Sequence, residues 1–148
     1  MRVLVQRVRH ASCTVNNEIV GKIDEGFLLF IGFNNSDNDE SFNKVLRKVS
    51  SLRIFEDEAG KMNKSLKDVN GSILAISQFT LYANMKGNNR PSFTDAMKYD
   101  LAEEYYLRFC KELKNLGFNT EMGIFGADMK IDLLNDGPVT ILIDSEEL

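Results

Sequence analysis

Ser77, Gln78 and Thr80 stand in the stretch SQFTLY, residues 77–82, directly after the apolar run SILAI. That run reads as a buried strand, and polar groups at the end of a buried strand must find hydrogen bonds or destabilise the fold. Two uses are open: bonding to neighbouring backbone, or lining a binding site. A threonine or serine hydroxyl could act as a nucleophile only with an activating base. The chain has a single histidine, His10, after the first strand, and no Cys or His at metal-ligand spacing from it. A lone histidine makes neither a zinc site nor, without a nucleophile in reach, a catalytic triad. There is no Walker-type phosphate loop and no GxGxxG after a strand. An enzyme built on this sequence therefore works without a metal, a cofactor or an obvious histidine base.

Two further stretches invite a chemical reading. NRPSF, residues 89–93, belongs to the loop MKGNNRPSF, which offers Lys86 and Arg90 as a local basic patch or serves merely as a turn before a helix. NDGPVT, residues 135–140, sets Gly137-Pro138 at the mouth of an apparent strand. Proline there suits a strand start or edge, because it fixes φ and donates no ladder hydrogen bond.

The elements that must hold these residues are mostly strands. Short alternating segments rich in Val, Ile, Leu, Phe and Thr predict strands at about 2–8, 12–15, 18–23, 27–32, 53–56, 72–82, 120–124, 129–134 and 139–144. Asn16-Asn17 reads as a two-residue hairpin turn, making the first half a meander. Helical periodicity predicts a helix over 38–51, with Phe42, Val45, Leu46, Val49 and Leu52 inward and Asp37 with Glu40 as a capping box. A second helix is predicted over 100–116, with Leu101, Tyr105, Phe109, Leu113 and Leu116 on one stripe. Asp100 and Glu103 are its cap pair, and Gly117 ends it. The expected fold is α+β: a mostly antiparallel sheet or partly closed barrel with two helices packed on it, one domain over residues 1–148.

Composition narrows the function. At 148 residues and 43% hydrophobic the chain supports one core, and its net charge of −4 argues against gripping nucleic acid through the whole surface. Lys44, Arg47, Lys48, Lys61, Lys64 and Lys67 could extend a local patch or form an ordinary solvated face. No run approaches the roughly 20 apolar residues of a membrane span, and the start MRVLVQRVRH has no signal-peptide hydrophobic region. The expected location is cytoplasmic, with Cys13 and Cys110 reduced and buried.

Taken together, VQRV at 5–8, GKMN at 60–63, SQFTL, RPSF, ADM at 127–129 and NDGPVT resemble the D-aminoacyl-tRNA deacylases, end to end. A related animal-type family carries Pro and Ala in its SQFT equivalent, whereas Ser77, Phe79 and Val139 match the D-specific branch. The resemblance implies hydrolysis of the ester joining a D-amino acid to the acceptor end of tRNA, with glycyl-tRNA also admitted. It implies a homodimer with active sites at the subunit interface and no need for DNA or membrane. It further implies a cis Gly137-Pro138 bond whose carbonyls enter the partner's pocket, accept the substrate ammonium and fill the space of an L side chain. Ser77, Gln78 and Phe79 then line the pocket for the terminal adenosine, with the Phe79 N–H on the ester carbonyl and the tRNA ribose hydroxyl assisting attack. Thr80 is a supporting group or a nucleophile. Arg7 either orients the Gly-Pro segment or is an ordinary exposed strand residue. Two competing readings are a dimeric module that binds tRNA ends without hydrolysis, and a general esterase using Thr80 or Ser77.

Overall fold

The chain folds around one long strand. In the computed structural model, which describes residues 1–148, β1 (Arg2–Val15) runs without a break through the segment where two strands were expected. Its two edges are both occupied. Along one, β2 (Glu18–Ile23) and β3 (Gly26–Gly32) follow each other, β2 against residues 11–15 and β3 against residues 2–8. The expected meander is therefore replaced by a long bent hairpin, because β3 returns to β1 rather than to β2. Asn16 and Asn17 make the tight turn with φ of 49° and 64°, the positive values that such a turn demands. Along the other edge lies β8 (Lys130–Asp144).

The remaining strands extend the sheet in parallel fashion. β6 (Ser72–Ser77) pairs parallel to β3, and β7 (Thr120–Met122) pairs parallel to β6. The sheet is thus mostly antiparallel with two parallel pairings at one side, since the connections before β6 and β7 are crossovers long enough to carry helices. It curls until Gly21 of β2 abuts the Met122 carbonyl of β7, which nearly closes a barrel. A separate hairpin is formed by β4 (Arg53–Glu56) and β5 (Met62–Ser65), the latter outside the expected strands.

Both faces of β3 and β6 are covered, which explains their almost continuous apolar sequence. Phe27, Leu29, Ile31, Ile73 and Ala75 enter a main core of 24 residues under the helices, while Leu28, Leu74 and Ile76 enter a second cluster of eight with Val8, Ala11 and Cys13. Helix α1 (Asp39–Ser51) buries Phe42, Val45 and Val49, and α2 (Tyr99–Asn115) buries Ala102, Tyr106, Phe109, Cys110 and Leu113. Tyr106 reaches through the core to donate its hydroxyl to the Ala75 carbonyl at 2.8 Å, so a central strand and α2 are fixed to each other.

Helix ends depart from the expectation. Asn38, not Asp37, caps α1 and exchanges a capping box with Ser41. Asp37 turns instead to the buried Met1 ammonium, which Ser145 Oγ also receives, and accepts the Asn34 N–H at 2.7 Å. In α2, Asp100 lies inside the first turn and Lys98 occupies the cap position without a side-chain bond, so the Asp100 and Glu103 pair does not cap it. Leu101 and Leu116 of the expected stripe are exposed because the buried face is rotated toward Ala102, Tyr106 and Cys110. No helix is long and apolar enough to cross a membrane.

Candidate functional site

The site forms where β6 stops. The Gln78 N–H donates to the Ile31 carbonyl at 2.7 Å, the last bond of the β3–β6 pairing, and the chain then turns into a 3-10 turn, Phe79–Tyr82, rather than continuing as the strand expected to residue 82. The neighbouring strand makes room for this turn with Gly32. A Cβ at that position would stand 2.8 Å from the Gln78 carbonyl oxygen and 3.2 Å from Leu81 Cβ. Phe79 opens the turn, so its N–H has no acceptor within it.

A cleft of about 520 Å³ lies in front of these residues. Ser77, Gln78 and Phe79 form one wall; Phe93, Tyr99 and Met129 contribute to the others. The wall is mostly apolar, as expected of a pocket that gains from excluding water and orients its ligand with few polar groups. The Phe79 ring is exposed and meets Phe93 edge to face at 4.9 Å, so the rim of the cleft is tied to the end of the basic loop. The Ser77 hydroxyl bonds nothing within the chain, and Gln78 Nε2 donates to Thr80 Oγ1. Asp128 also borders the cleft but is spent on Lys130 at 3.0 Å. His10 lies on β1 against Asp132 at 3.9 Å and is not part of the lining.

Gly137 and Pro138 form a second element of the site. Their peptide bond is cis. Val8 pairs with Asn135 and Gln6 with Thr140, so the four residues 136–139 stand opposite Arg7 alone and bulge out of the ladder. Sequence reading placed a break between two strands here, whereas β8 continues through the bulge. Asn135 closes its base: Oδ1 accepts the Val139 N–H at 3.2 Å and Nδ2 donates to Thr140 Oγ1 at 2.8 Å. Gly137 has φ of 132°, outside the range of ordinary L residues, and a Cβ there would meet Val139 and Arg7.

Arg7 is buried, 6% exposed, which settles the choice between an exposed strand arginine and one packed by the Gly-Pro segment. Its Nε donates to the Asp136 carbonyl at 3.0 Å and its Nη1 to the Ile54 carbonyl at 2.7 Å. The bulge is thereby pinned to β4. Asn135 and the Ile54 carbonyl were missed from sequence. Asn135 is the first letter of NDGPVT and could have been noticed; a backbone carbonyl contributed by a distant hairpin has no sequence signature.

The structure brings Ser77, Gln78 and Phe79 together in the cleft and leaves Gly137 and Pro138 outside it: neither lines that cleft, and both are exposed. Lys86 and Arg90 sit in a loop whose neck is closed by reciprocal backbone bonds between Asn84 and Ser92 at 2.8 and 2.9 Å. Both are exposed and free of salt bridges.

Residues 4–144 match the model of the family described as D-Tyr-tRNA(Tyr) deacylase. The chain belongs to that family. A D-aminoacyl-tRNA deacylase of Lactobacillus acidophilus is 54% identical over 144 residues, covering 97% of this chain and 99% of its own. One from Fusobacterium nucleatum is 51% identical over 147 residues, 99% of this chain and 97% of its own. Among solved structures, one titled c-Myc DNA Unwinding Element Binding Protein superposes with a TM-score of 0.91 at 39% identity, over 97% of this chain and 98% of that one. A second, a probable eukaryotic D-amino acid tRNA deacylase, has a TM-score of 0.83 at 20% identity over 97% and 98%, a likeness of fold. The deacylase resemblance drawn from the motifs is borne out, and with it the assignment to a family of hydrolases.

Proposed function

We propose that the chain hydrolyses the ester of D-aminoacyl-tRNA and of glycyl-tRNA, using the cleft of one subunit and the Gly137-Pro138 bulge of another. The observation that carries this reading is the separation of the two elements. The cleft offers a free Ser77 hydroxyl and the Phe79 N–H, while the bulge, held by Arg7 and Asn135, is exposed and does not line its own cleft.

In this reading the terminal adenosine and its ester occupy the cleft. The Phe79 N–H donates to the ester carbonyl, whose oxygen becomes negative as water adds to the carbon, and a positioned donor of this kind stabilises the developing charge. The bond from that carbon to the ribose oxygen then breaks, the ribose oxygen takes a proton, and the free amino acid leaves. The adjacent ribose hydroxyl assists proton movement, consistent with a cleft that contains no histidine base. Ser77 orients the substrate, and Thr80, already accepting from Gln78, supports the turn rather than attacking.

Specificity follows from main-chain atoms. The carbonyls of Gly137 and Pro138 of the second subunit accept the substrate ammonium and fill the volume that an L side chain requires. D side chains point elsewhere and are not read, so many are accepted; glycine, with nothing to exclude, is accepted too. This is rejection by occupied space. In this reading Lys86 and Arg90, exposed and free of salt bridges, meet acceptor-stem phosphates. The test is ester loss from D-tyrosyl-, L-tyrosyl- and glycyl-tRNA with purified protein and no added metal. Loss of the D and glycyl esters with the L ester spared is expected; loss of the L ester at a similar rate would overturn the exclusion mechanism.

A further inference from the structure

The Gln78 carbonyl and the Phe79 N–H belong to one planar peptide unit, so whatever rotates the first rotates the second. The unit is trans, and its two groups point in opposite directions. The carbonyl oxygen lies against Gly32 of β3, 2.8 Å from where a Cβ would stand. The N–H therefore points away from that strand, and as the head of the 3-10 turn it has no acceptor within it. The same carbonyl receives the Leu81 N–H at 3.3 Å.

Gly32 does not have a positive φ, so its backbone would accept any L residue. What it supplies is space. Ordinary contact with a Cβ begins near 3.4 Å, so a methyl here drives the Gln78 oxygen back from 2.8 Å by roughly 0.6 Å. The turn cannot yield as a body, because both its ends are held. At the entrance the Gln78 N–H bonds the Ile31 carbonyl at 2.7 Å; at the exit the Leu81 carbonyl accepts Arg2 Nη1 at 2.9 Å. Arg2 is itself fixed by Asp144, 2.7 Å from its Nε, and its guanidinium lies 4.6 Å over the ring of Tyr82, the last residue of the turn. Nor can β3 retreat, since both its faces are packed. The freedom that remains is rotation of the Gln78–Phe79 peptide. Arg2 and Gly32 are partners in the β1–β3 ladder, so one rung carries both the clamp and the space.

We infer that Gly32 and Arg2 are positioning residues for hydrolysis: by seating the turn they aim the Phe79 N–H at the ester carbonyl of the substrate. This rests on the assignment of that N–H as the oxyanion donor. A catalytic donor has to sit within about 0.5 Å and 10–20° of its productive geometry, and the shift forced by one methyl at Gly32 exceeds the first limit.

The test is steady-state hydrolysis of D-tyrosyl-tRNA by wild type, Gly32→Ala, Arg2→Lys and Phe79→Pro, and by the first two substitutions each combined with Phe79→Pro. Gly32→Ala should lower kcat about 10- to 100-fold, part of the loss that deleting an oxyanion donor causes. Arg2→Lys can serve Asp144 but lacks the fork to hold Leu81 as well, and should lower kcat about 3-fold, the worth of one hydrogen bond. KM should stay within about 2-fold in both, because substrate binding is left intact. In the Phe79→Pro background, with no N–H left to aim, neither substitution should cost anything further. A loss of folded protein would multiply in either background, and a methyl that merely obstructs the cleft, which Gly32 borders, would raise KM. Arg2, whose side chain is 33% exposed, carries the test alone if Gly32→Ala does not fold. Wild-type kcat in the folded variants, or losses undiminished in the Phe79→Pro background, overturns the inference. Intact turnover in Phe79→Pro itself removes the donor assignment and the positioning with it, whereas impaired Phe79→Pro beside unimpaired Gly32→Ala and Arg2→Lys keeps the assignment and removes only the positioning.

Discussion

Arg7 and Asp136 are joined by a 3.0 Å hydrogen bond from the arginine Nε to the aspartate carbonyl, one residue before Gly137. A buried guanidinium on a strand thus holds main-chain atoms of a bulge. Because a guanidinium presents several donors in a fixed fork, one side chain fixes both the bulge and the Ile54 carbonyl of the neighbouring hairpin.

Arg7→Ala should remove the donor from the buried Ile54 carbonyl and the part-buried Asp136 carbonyl and lower stability by about 1–3 kcal/mol. Arg7→Lys should restore part of the stability, since a point charge reaches one carbonyl, but not the discrimination between D and L esters. Denaturant unfolding and the ratio of D to L ester hydrolysis check the two halves. An Arg7→Lys protein with wild-type discrimination would reduce Arg7 to packing.

Phe79→Pro deletes the backbone N–H at the head of the 3-10 turn, where proline is tolerated. Gln78 has φ of −145° and ψ of 81°, outside the α region that a following proline disfavours. The expected loss is about 10²- to 10³-fold in kcat, the usual cost of one oxyanion donor. Phe79→Leu, which removes only the ring, should lose far less. Equal losses in the two would assign the effect to the aromatic side chain.

Thr80→Val should keep near-normal turnover, because the hydroxyl's place is an exposed bond from Gln78. Abolished turnover in a folded Thr80→Val protein, together with a trapped acyl-enzyme in wild type, would make Thr80 the nucleophile.

Burial pushes the Cys110 thiol from 9.0 up to about 12. A group held protonated by the fold contributes stability that is complete below its unfolded value and is lost as pH rises toward the folded one. Stability should therefore fall between about pH 9 and pH 12, and Cys110→Ala should flatten part of that decline. Tyr106, whose phenol burial also shifts upward, supplies another part. At neutral pH Cys110, 1% exposed, should resist alkylation in the native protein.

Much of the framework is legible from sequence because it depends on local pattern. The Asn16-Asn17 turn, the inward Phe42, Val45 and Val49, and Gly117 with φ of 92° after α2 all follow from periodicity and backbone preference. What escapes is decided by distant partners. The parallel pairings of β3 with β6 and of β6 with β7 leave no local mark. Asp37 looks like a cap, but the Met1 ammonium competes for it and Asn38 takes the helix end. The motif SQFTLY reads as strand to its end, whereas the turn after Gln78 depends on the space left by Gly32, forty-odd residues earlier. Of the site, Ser77 and Gln78 were visible as polar groups after an apolar run, and Phe79 only through the family resemblance; that the Tyr82 hydroxyl is buried without a partner becomes evident only in three dimensions.

The claim that a cleft in one subunit is completed by the bulge of another is tested most directly by mixing two impaired proteins. Phe79→Pro subunits retain the bulge, and Gly137→Ala subunits retain the cleft but have Val139 and Arg7 crowded by the added methyl. Each alone should hydrolyse D-tyrosyl-tRNA slowly. After the subunits are exchanged, random pairing in a two-fold dimer gives half mixed dimers with one intact site of two, and activity should recover to about a quarter of wild type. Activity that stays at the average of the two parents would contradict the account.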